Sequence, residues 1–588
     1  VERTTHEADW VSRIADDVIA EAERRAPGKP VVCASGLSPS GPIHLGNLRE
    51  VMVPHMVADE IKRRGAACEH IISWDDFDRF RKVPAGVDGV DPSWDEHIGK
   101  PLTSVPAPPG SAYGSWAEHF KAAMADSLAE LGVEYRGISQ TEMYTSGAYR
   151  EQILFAMRER ERIDAVLDRY RTLEKGKAGA QPGGRKQQKG KGKQGEPEAA
   201  EVEAAEGSGA AAEDDGAGAA GGAYYPYKPY CTVCARDTTT VTAYDDETTE
   251  LTYTCGTCGH SETVLLREFD HGKLVWKVDW PMRWSYEGVV FEPSGVDHQS
   301  PGSSFVVGGQ LVKEIFEGEQ PIGPMYAFVG ISGMAKMSSS KGGVPTPADA
   351  LGIMEAPLLR WLYARRRPNQ SFKVAFDQEI QRTYDEWDAL ERKLAAGDAQ
   401  PADAAAHLRA STTAAGPLPT TPRPLPYRTL ASVVDVTAGN DEQTLRILGE
   451  LDPERPVRSL EEVRPRLDRA QRWITTQVPA EQRTRVRDEP DTGLLESLDG
   501  AQRESLRLLL DGLEDHWSLE GLTQLVYGVP KVQAGIAPDA KPTPELKVAQ
   551  RAFFALVYKL LVGSDTGPRL PTLLLAVGAE RVRRLLGG

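Results

Sequence analysis

The sequence predicts an α/β fold: a Rossmann-like parallel sheet that carries a small cysteine-rich ribbon and is followed by an all-α C-terminal domain. Three observations carry that prediction. A β-branched run at Pro30–Cys33 passes through a Gly/Ser/Pro loop into a helical pattern. Two C-x-x-C pairs, Cys231/Cys234 and Cys255/Cys258, stand twenty residues apart. From about residue 346 onward, apolar side chains recur near every 3.6 positions. The boundaries that follow are a Rossmann-like domain at 1–345, containing an insertion at 172–223 and a ribbon at 224–265, and a helical domain at 346–588.

Composition narrows the class. At 588 residues the chain exceeds what one core serves. Forty per cent apolar residues, with no apolar run near twenty, exclude a membrane-spanning helix. The polar, mixed-charge opening shows no signal peptide. Six cysteines, four of them in C-x-x-C pairs, make no disulfide framework and fit a reducing cytoplasm. A net charge of −17 speaks against a simple nucleic-acid binder, although local patches and not the total decide such contacts.

Residues 7–25 pattern as an amphipathic helix. Pro30–Cys33 reads as a buried strand and Gly36–Pro42 as a turn-rich loop. Leu45, Leu48, Val51, Met52, Met56, Val57 and Ile61 then mark a helix that closes at Arg64-Gly65. Strand, small-residue loop and helix N-terminus form an anion site, where free N–H groups and the helix dipole meet a phosphate. His44 and Asn47, three apart in the first turn, face the same bound group. A lone histidine at a helix start is more often a cap; the strand and Pro-Ser-Gly loop before it favour the nucleotide site. His70–Trp74 reads as a second strand ending in Asp75, Asp76 and Asp78. Those aspartates either meet an ammonium or a metal, or form a solvated loop of mixed charge.

Residues 113–171 pattern as helical. The 172–223 stretch collapses into Gly, Ala, Lys, Glu and Gln, too apolar-poor to offset ordering entropy, and is expected to be disordered. Its basic half reads as a solvated linker before an RNA contact. The four cysteines supply two knuckles with no open position, which implies a structural Zn2+ over unmetallated cysteines or a redox pair. Leu274–Trp284 alternates as a strand would, with Trp276, Val278 and Trp280 on one face and Trp284 in the core. A polar loop with Asp297 and His298 follows, then a helix, then a strand at Met325–Gly330 leading to Lys336-Met-Ser-Ser-Ser-Lys-Gly342. Helical segments are expected at 350–366, 380–394, 428–451, 506–513, 519–526 and 546–561, with Pro-rich breaks at 416–426 and 453–465. Arg581–Arg584 is either a phosphate contact or a solvated helix face.

Cys33-Ala-Ser-Gly-Leu-Ser-Pro-Ser-Gly-Pro-Ile-His-Leu-Gly-Asn47 resembles the HIGH signature of class I aminoacyl-tRNA synthetases, with Asn47 in place of the last His. The substitution keeps a donor and loses the imidazole charge. Lys336–Gly342 resembles the KMSKS loop, in the family's order. Ser73–Pro84, Trp276–Trp284 and Gly295–Ser304 are similar to the class I lysyl-tRNA synthetases in particular. The resemblance covers the chain from about residue 7 apart from the insertion.

It implies ATP-dependent ligation of L-lysine to tRNA(Lys) through a lysyl-adenylate. His44, Asn47, Lys336 and Ser338 would be catalytic. Pro39, Ser40, Gly46, Lys336, Ser338, Ser339 and Lys341 would bind ATP, which brings its Mg2+. Gly36, Ser38, Trp276, Trp280, His298 and Tyr326 would enclose the lysine. The family's second signature Lys falls two places before Lys341, which leaves open whether Lys341 or only Lys336 reaches the phosphates. A carboxylate should neutralise the ammonium, with Asp279 a candidate. The helical tail would recognise the anticodon, and a cytoplasmic monomer is expected. Three alternatives stand beside this reading: another class I specificity, a HxGH-type nucleotidylyltransferase, and a non-catalytic synthetase-derived RNA-binding protein. The nucleotidylyltransferase leaves the tail and ribbon without a role; intact His44 and Lys336 speak against the RNA-binding protein.

Overall fold

The structure, a computed structural model, describes residues 8–178, 222–333 and 343–588. The expected disorder of the insertion and the second signature, with Lys336, Ser338, Ser339 and Lys341, fall largely or wholly outside those residues. Packing divides the described chain into two units. The first runs up to Ala350 and adds Ala356–Val374 and Leu394–Leu418; the second takes Leu351–Glu355, Ala375–Lys393 and Pro419–Gly588.

The first unit opens with helix α1 (Trp10–Arg25), whose start is capped by the Asp9 side chain on the Val11 N–H. Strand β1 (Val31–Leu37), helix α2 (Leu48–Arg63) and strand β2 (Cys68–Trp74) then make a parallel strand–helix–strand unit. Register runs from Val31 opposite Cys68 to Leu37 opposite Trp74. After α3 (Trp116–Glu130), strand β3 (Arg136–Ser139) pairs parallel to β2. This strand corrects the all-helical reading of 113–171. Only Ile138 of its four residues is buried, so no periodicity marks it. Helices α4 (Gln140–Thr145), α5 (Arg150–Arg158) and α6 (Arg160–Ala178) follow.

The chain next leaves and re-enters through an antiparallel neck, β4 (Tyr227–Pro229) against β8 (Gly272–Leu274). Between them stands a three-stranded antiparallel sheet of β5 (Thr239–Tyr244), β6 (Glu250–Cys255) and β7 (Ser261–Leu265). Beyond the neck comes a second correction. Trp276–Glu287 is a helix, α7, closed by left-handed Gly288 at φ 64. Alternating Val and Trp and an internal Pro281 imitate a strand. Yet Pro281 lies in the second turn, where it forfeits one backbone hydrogen bond, and the tryptophans gain a shared face at four-residue spacing.

Val290–Glu292 then returns to the free side of β1. The Val290 N–H donates to the Val32 carbonyl at 2.9 Å, and the Ala34 N–H to the Phe291 carbonyl at 2.8 Å. Ile322 adds the next parallel position, its N–H donating to the Val290 carbonyl at 2.9 Å. The pairing continues as β9 (Ser294–Gly295) beside β10 (Met325–Tyr326), with α8 (Ser304–Glu314) as the crossover. The expected strand at Met325–Gly330 is two short ones, β10 and β11 (Val329–Ser332). Strand order reverses at β1, and the crevice at the carboxyl end of such a reversal is where open α/β sheets hold ligands.

The second unit is built of helices, including most of Glu379–Ala395, and Tyr427–Thr437, Asp441–Leu451, Arg466–Gln477, Gly500–Gly512, Leu519–Gln533 and Pro544–Val562. The pattern at 428–451 is two helices, separated by left-handed Ala438 and by Asn440, which caps the second on the Gln443 N–H. Arg466 anchors the core: it reaches Glu355 at 3.0 Å and Asp388 at 3.0 Å, and lies over the Tyr384 ring. Arg581, Arg583 and Arg584 pair with Asp488, Glu514 and Glu489, which favours the solvated-face reading of that cluster. Among the described residues no helix is long and apolar enough to cross a membrane.

Candidate active site

A cavity of about 300 Å³ opens at the carboxyl ends of β1 and β2 in the first unit. Gly36, Ser38, Trp276, Trp280, His298 and Tyr326 all line it, as does Ser40. A smaller cavity adjoins, lined by His44, Gly46, Asn47, Asp297 and Phe328, and shares Glu50, His298 and Tyr326 with the larger one. Pro39 is buried and lines neither. The loop between strand and helix is fixed by the Trp116 indole N–H donating to the Ser40 carbonyl at 3.0 Å.

His44 precedes and Asn47 ends a 3-10 turn that leads into α2. A side chain at Gly46 would place its Cβ 3.0 Å from the His44 ring. Gly46→Ala should therefore push the imidazole aside and lower the turnover of any reaction it serves by about tenfold, read from initial rates with the circular-dichroism spectrum unchanged. Chain flanking the second signature lies beside this turn. Phe328 and Val329 line the smaller cavity, and the Leu45 N–H donates to the Pro345 carbonyl at 2.7 Å.

The three aspartates after β2 are neither a solvated loop nor free ligands. Asp76 is fully buried and accepts from Lys121 at 3.0 Å, Ser139 at 2.7 Å and the Thr141 N–H at 2.8 Å, capping α4. Asp78 pairs with Lys273 at 2.5 Å. Asp75 pairs with Arg283 at 2.7 Å, and Arg283 also grips Asp279, four residues back on α7. Asp279 is fully buried and accepts from the Tyr144 hydroxyl as well.

Two acids that the motifs do not mark have the strongest electrostatic signature. Glu50 lines both cavities. Desolvation and the nearby Glu292 and Asp75 push its carboxyl well above the ordinary range, against the pull of the Gly36 N–H. Glu292 is buried and pushed up to about 7 by burial, although two indole N–H groups hold it down: Trp280 at 3.2 Å and Trp284 at 2.7 Å. Glu50 stands three residues after Asn47, so helical spacing alone puts it on the side of the signature residues. That was its one legible signal; Glu292 had none.

Glu292 gives a pH prediction. The folded protein holds this proton more tightly than the unfolded chain, whose ordinary value is 4.5, so more protons are bound in the native state between about 4.5 and about 7. Stability from this group is present below that window and is lost as pH rises through it. Urea midpoints between pH 5 and 7.5 should fall more steeply for the native sequence than for Glu292→Gln.

The four cysteine sulfurs lie within 4.8 Å of one another, with Cys231–Cys258 at 3.6 Å and Cys234–Cys255 at 3.5 Å. A tetrahedral Zn2+ with bonds of about 2.3 Å needs sulfurs about 3.8 Å apart, so the set fits. Each knuckle ends in a left-handed residue, Ala235 at φ 63 and Gly259 at φ 74, whose N–H returns to the first cysteine's carbonyl. His260 is turned toward Glu262 at 3.5 Å and is not part of the cluster. Metal analysis should find about one zinc per chain. Cys255→Ser should lower that figure and loosen the β5–β7 sheet, read as faster amide exchange there.

Residues 8–415 match the sequence model of the family described as tRNA synthetases class I (K). The chain belongs to that family. This class I (K) synthetase is 73% identical to a lysine–tRNA ligase of Streptomyces coelicolor, covering 100% of this chain and 99% of that one. It is 30% identical to a lysine–tRNA ligase of Pyrococcus horikoshii, over 98% of this chain and 99% of that one. A lysine–tRNA ligase of Treponema pallidum is 29% identical, over 98% of each.

Proposed function

We propose that this chain is a lysine–tRNA ligase that activates L-lysine with ATP and passes it to tRNA(Lys). The likeness at 73% identity along the whole length to a protein of that name carries the reading, and the carboxylate-rich cavity at the strand reversal accounts for it chemically.

Lysine enters with its stem against Trp276 and Trp280, which stack at 5.1 Å and 17°. Aromatic faces pack the methylenes and attract the ammonium. Glu50 is the ammonium's partner in this reading and replaces Asp279, which already pairs with Arg283 and accepts from the Tyr144 hydroxyl. A carboxyl pushed upward by burial and by neighbouring acids is relieved by an incoming cation. His298 and Tyr326, shared by the two cavities, orient the lysine toward the nucleotide side.

There the lysine carboxylate oxygen attacks the α-phosphorus of ATP in line and pyrophosphate leaves. His44, Asn47 and Gly46 on the strand–helix loop hold the phosphates, by positioning and electrostatics more than covalent chemistry. Ser40 joins them, with Pro39 shaping the loop. Lys336, Ser338, Ser339 and Lys341 are assigned to the triphosphate on the resemblance, and the Leu45–Pro345 hydrogen bond keeps their segment's exit beside the first signature. Mg2+ bound to the triphosphate would offset its charge. The terminal adenosine's 2′-hydroxyl then takes the acyl group and AMP departs. We assign the helical unit to the anticodon, the cysteine cluster to a structural Zn2+, and the enzyme to the cytoplasm as a monomer.

The experiment is ATP–pyrophosphate exchange with each amino acid, with and without tRNA(Lys). Lysine-dependent exchange and charging of that tRNA are expected. Exchange with another amino acid would replace the specificity, and tRNA binding without exchange would leave an RNA-binding protein.

A further inference from the structure

We propose that Glu292 is a positioning residue: its carboxylate fixes the tryptophan wall of the cavity and so sets the length and charge of side chain the enzyme accepts. The inference rests on the lysine reading above and deepens it. Glu292 sits just beyond the point where the returning strand pairs with β1, its N–H held by the Ile322 carbonyl at 3.0 Å, so its backbone is part of the sheet. One carboxylate oxygen accepts from the Trp280 indole and the other from the Trp284 indole. Two donors aimed at one acid need two acceptor oxygens. A glutamine offers one, and its amide nitrogen would face the other indole N–H.

The wall this clamp holds is a row along one helix face. Trp276 stacks on Trp280, Trp280 meets Trp284 at 5.0 Å, and the Arg283 guanidinium lies 5.4 Å over Trp276. Trp284 is confined from the other side by Gly308, where an added Cβ would come within 3.0 Å of its ring. With Trp284 held at its N–H by Glu292 and packed against Gly308 at the far end of the indole, Glu292 controls the tilt of Trp280, the ring that also meets His298 edge-on at 5.9 Å. A buried acid pushed upward by its surroundings is a costly way to orient two indoles. Its charge also adds to the field that Glu50 presents, which makes the clamp part of cation selection.

The test uses the full-length enzyme in pyrophosphate exchange with lysine, ornithine and norleucine. Glu292→Gln should raise KM for lysine at least tenfold and narrow the preference for lysine over ornithine and norleucine. KM for ATP and kcat at saturating lysine should stay within threefold. Trp284→Phe keeps the ring and removes its donor; it should raise lysine KM severalfold, and the double variant should be no worse than Glu292→Gln alone. A lysine KM and preference unchanged in Glu292→Gln, or effects of the two changes that multiply, would overturn the proposal. If Glu292→Gln fails to fold, Trp284→Phe decides by the same KM split, an unchanged lysine KM counting against. Absence of lysine-dependent exchange in the unaltered protein would instead overturn the functional reading and this inference with it.

Discussion

Glu50→Gln should lower kcat/KM for lysine in pyrophosphate exchange by two to three orders of magnitude while leaving ATP binding within a few-fold. Removing one partner of a desolvated, hydrogen-bonded charge pair costs about 2–5 kcal/mol, and each 1.4 kcal/mol is about tenfold in an equilibrium constant. The substitution is close to isosteric, so no void opens. Because burial and the nearby Glu292 and Asp75 already disfavour a charge on Glu50 in the free enzyme, the variant should unfold at the same temperature or higher. Loss of activity together with a lower unfolding temperature would point to damaged folding and remove Glu50 from the lysine site.

Arg283→Met should have the largest effect on stability. The guanidinium is buried between Asp75 at 2.7 Å and Asp279, and donates to Ser73 at 2.9 Å. Methionine approximates its stem but leaves two buried carboxylates facing each other. Breaking a buried ion pair from one side costs about 3–5 kcal/mol. The loss should appear as a lower urea midpoint with unchanged slope, and should be smaller at pH 5 than at pH 8 as Asp75, already pushed up to about 6 by burial, takes a proton. A midpoint unmoved at pH 8 would show that the trio contributes nothing net.

The first βαβ unit was legible because each piece obeyed its own local rule. The apolar run before Gly36, the small-residue loop and the helix to Arg63 needed no distant partner to be recognised. The cysteines were equally plain, since two knuckles at fixed spacing admit few other geometries. The failures share one cause, dependence on contacts remote in sequence. β3 is a strand only because β2 offers it an edge, and its own four residues carry no pattern. Trp276–Glu287 alternates like a strand, but helical geometry aligns three indoles on one side and brings Arg283 to Asp279. All six residues assigned to lysine line one cavity. The acids most perturbed there were missed because Glu292 follows a strand visible only once β1 is placed beside it.

The antiparallel pairing of Tyr227–Pro229 with Gly272–Leu274 brings the two ends of the cysteine module together as neighbours across a single ladder. Beyond that clasp the module packs on its host: the Tyr230 hydroxyl donates to the Phe77 carbonyl, the Asp237 N–H to the Gly99 carbonyl at 2.8 Å, and Arg160 pairs with Asp246 at 2.8 Å. Trading the module for another of different reach therefore has to keep those footings, because Tyr230 and Asp237 also line the cavity that carries the chemistry.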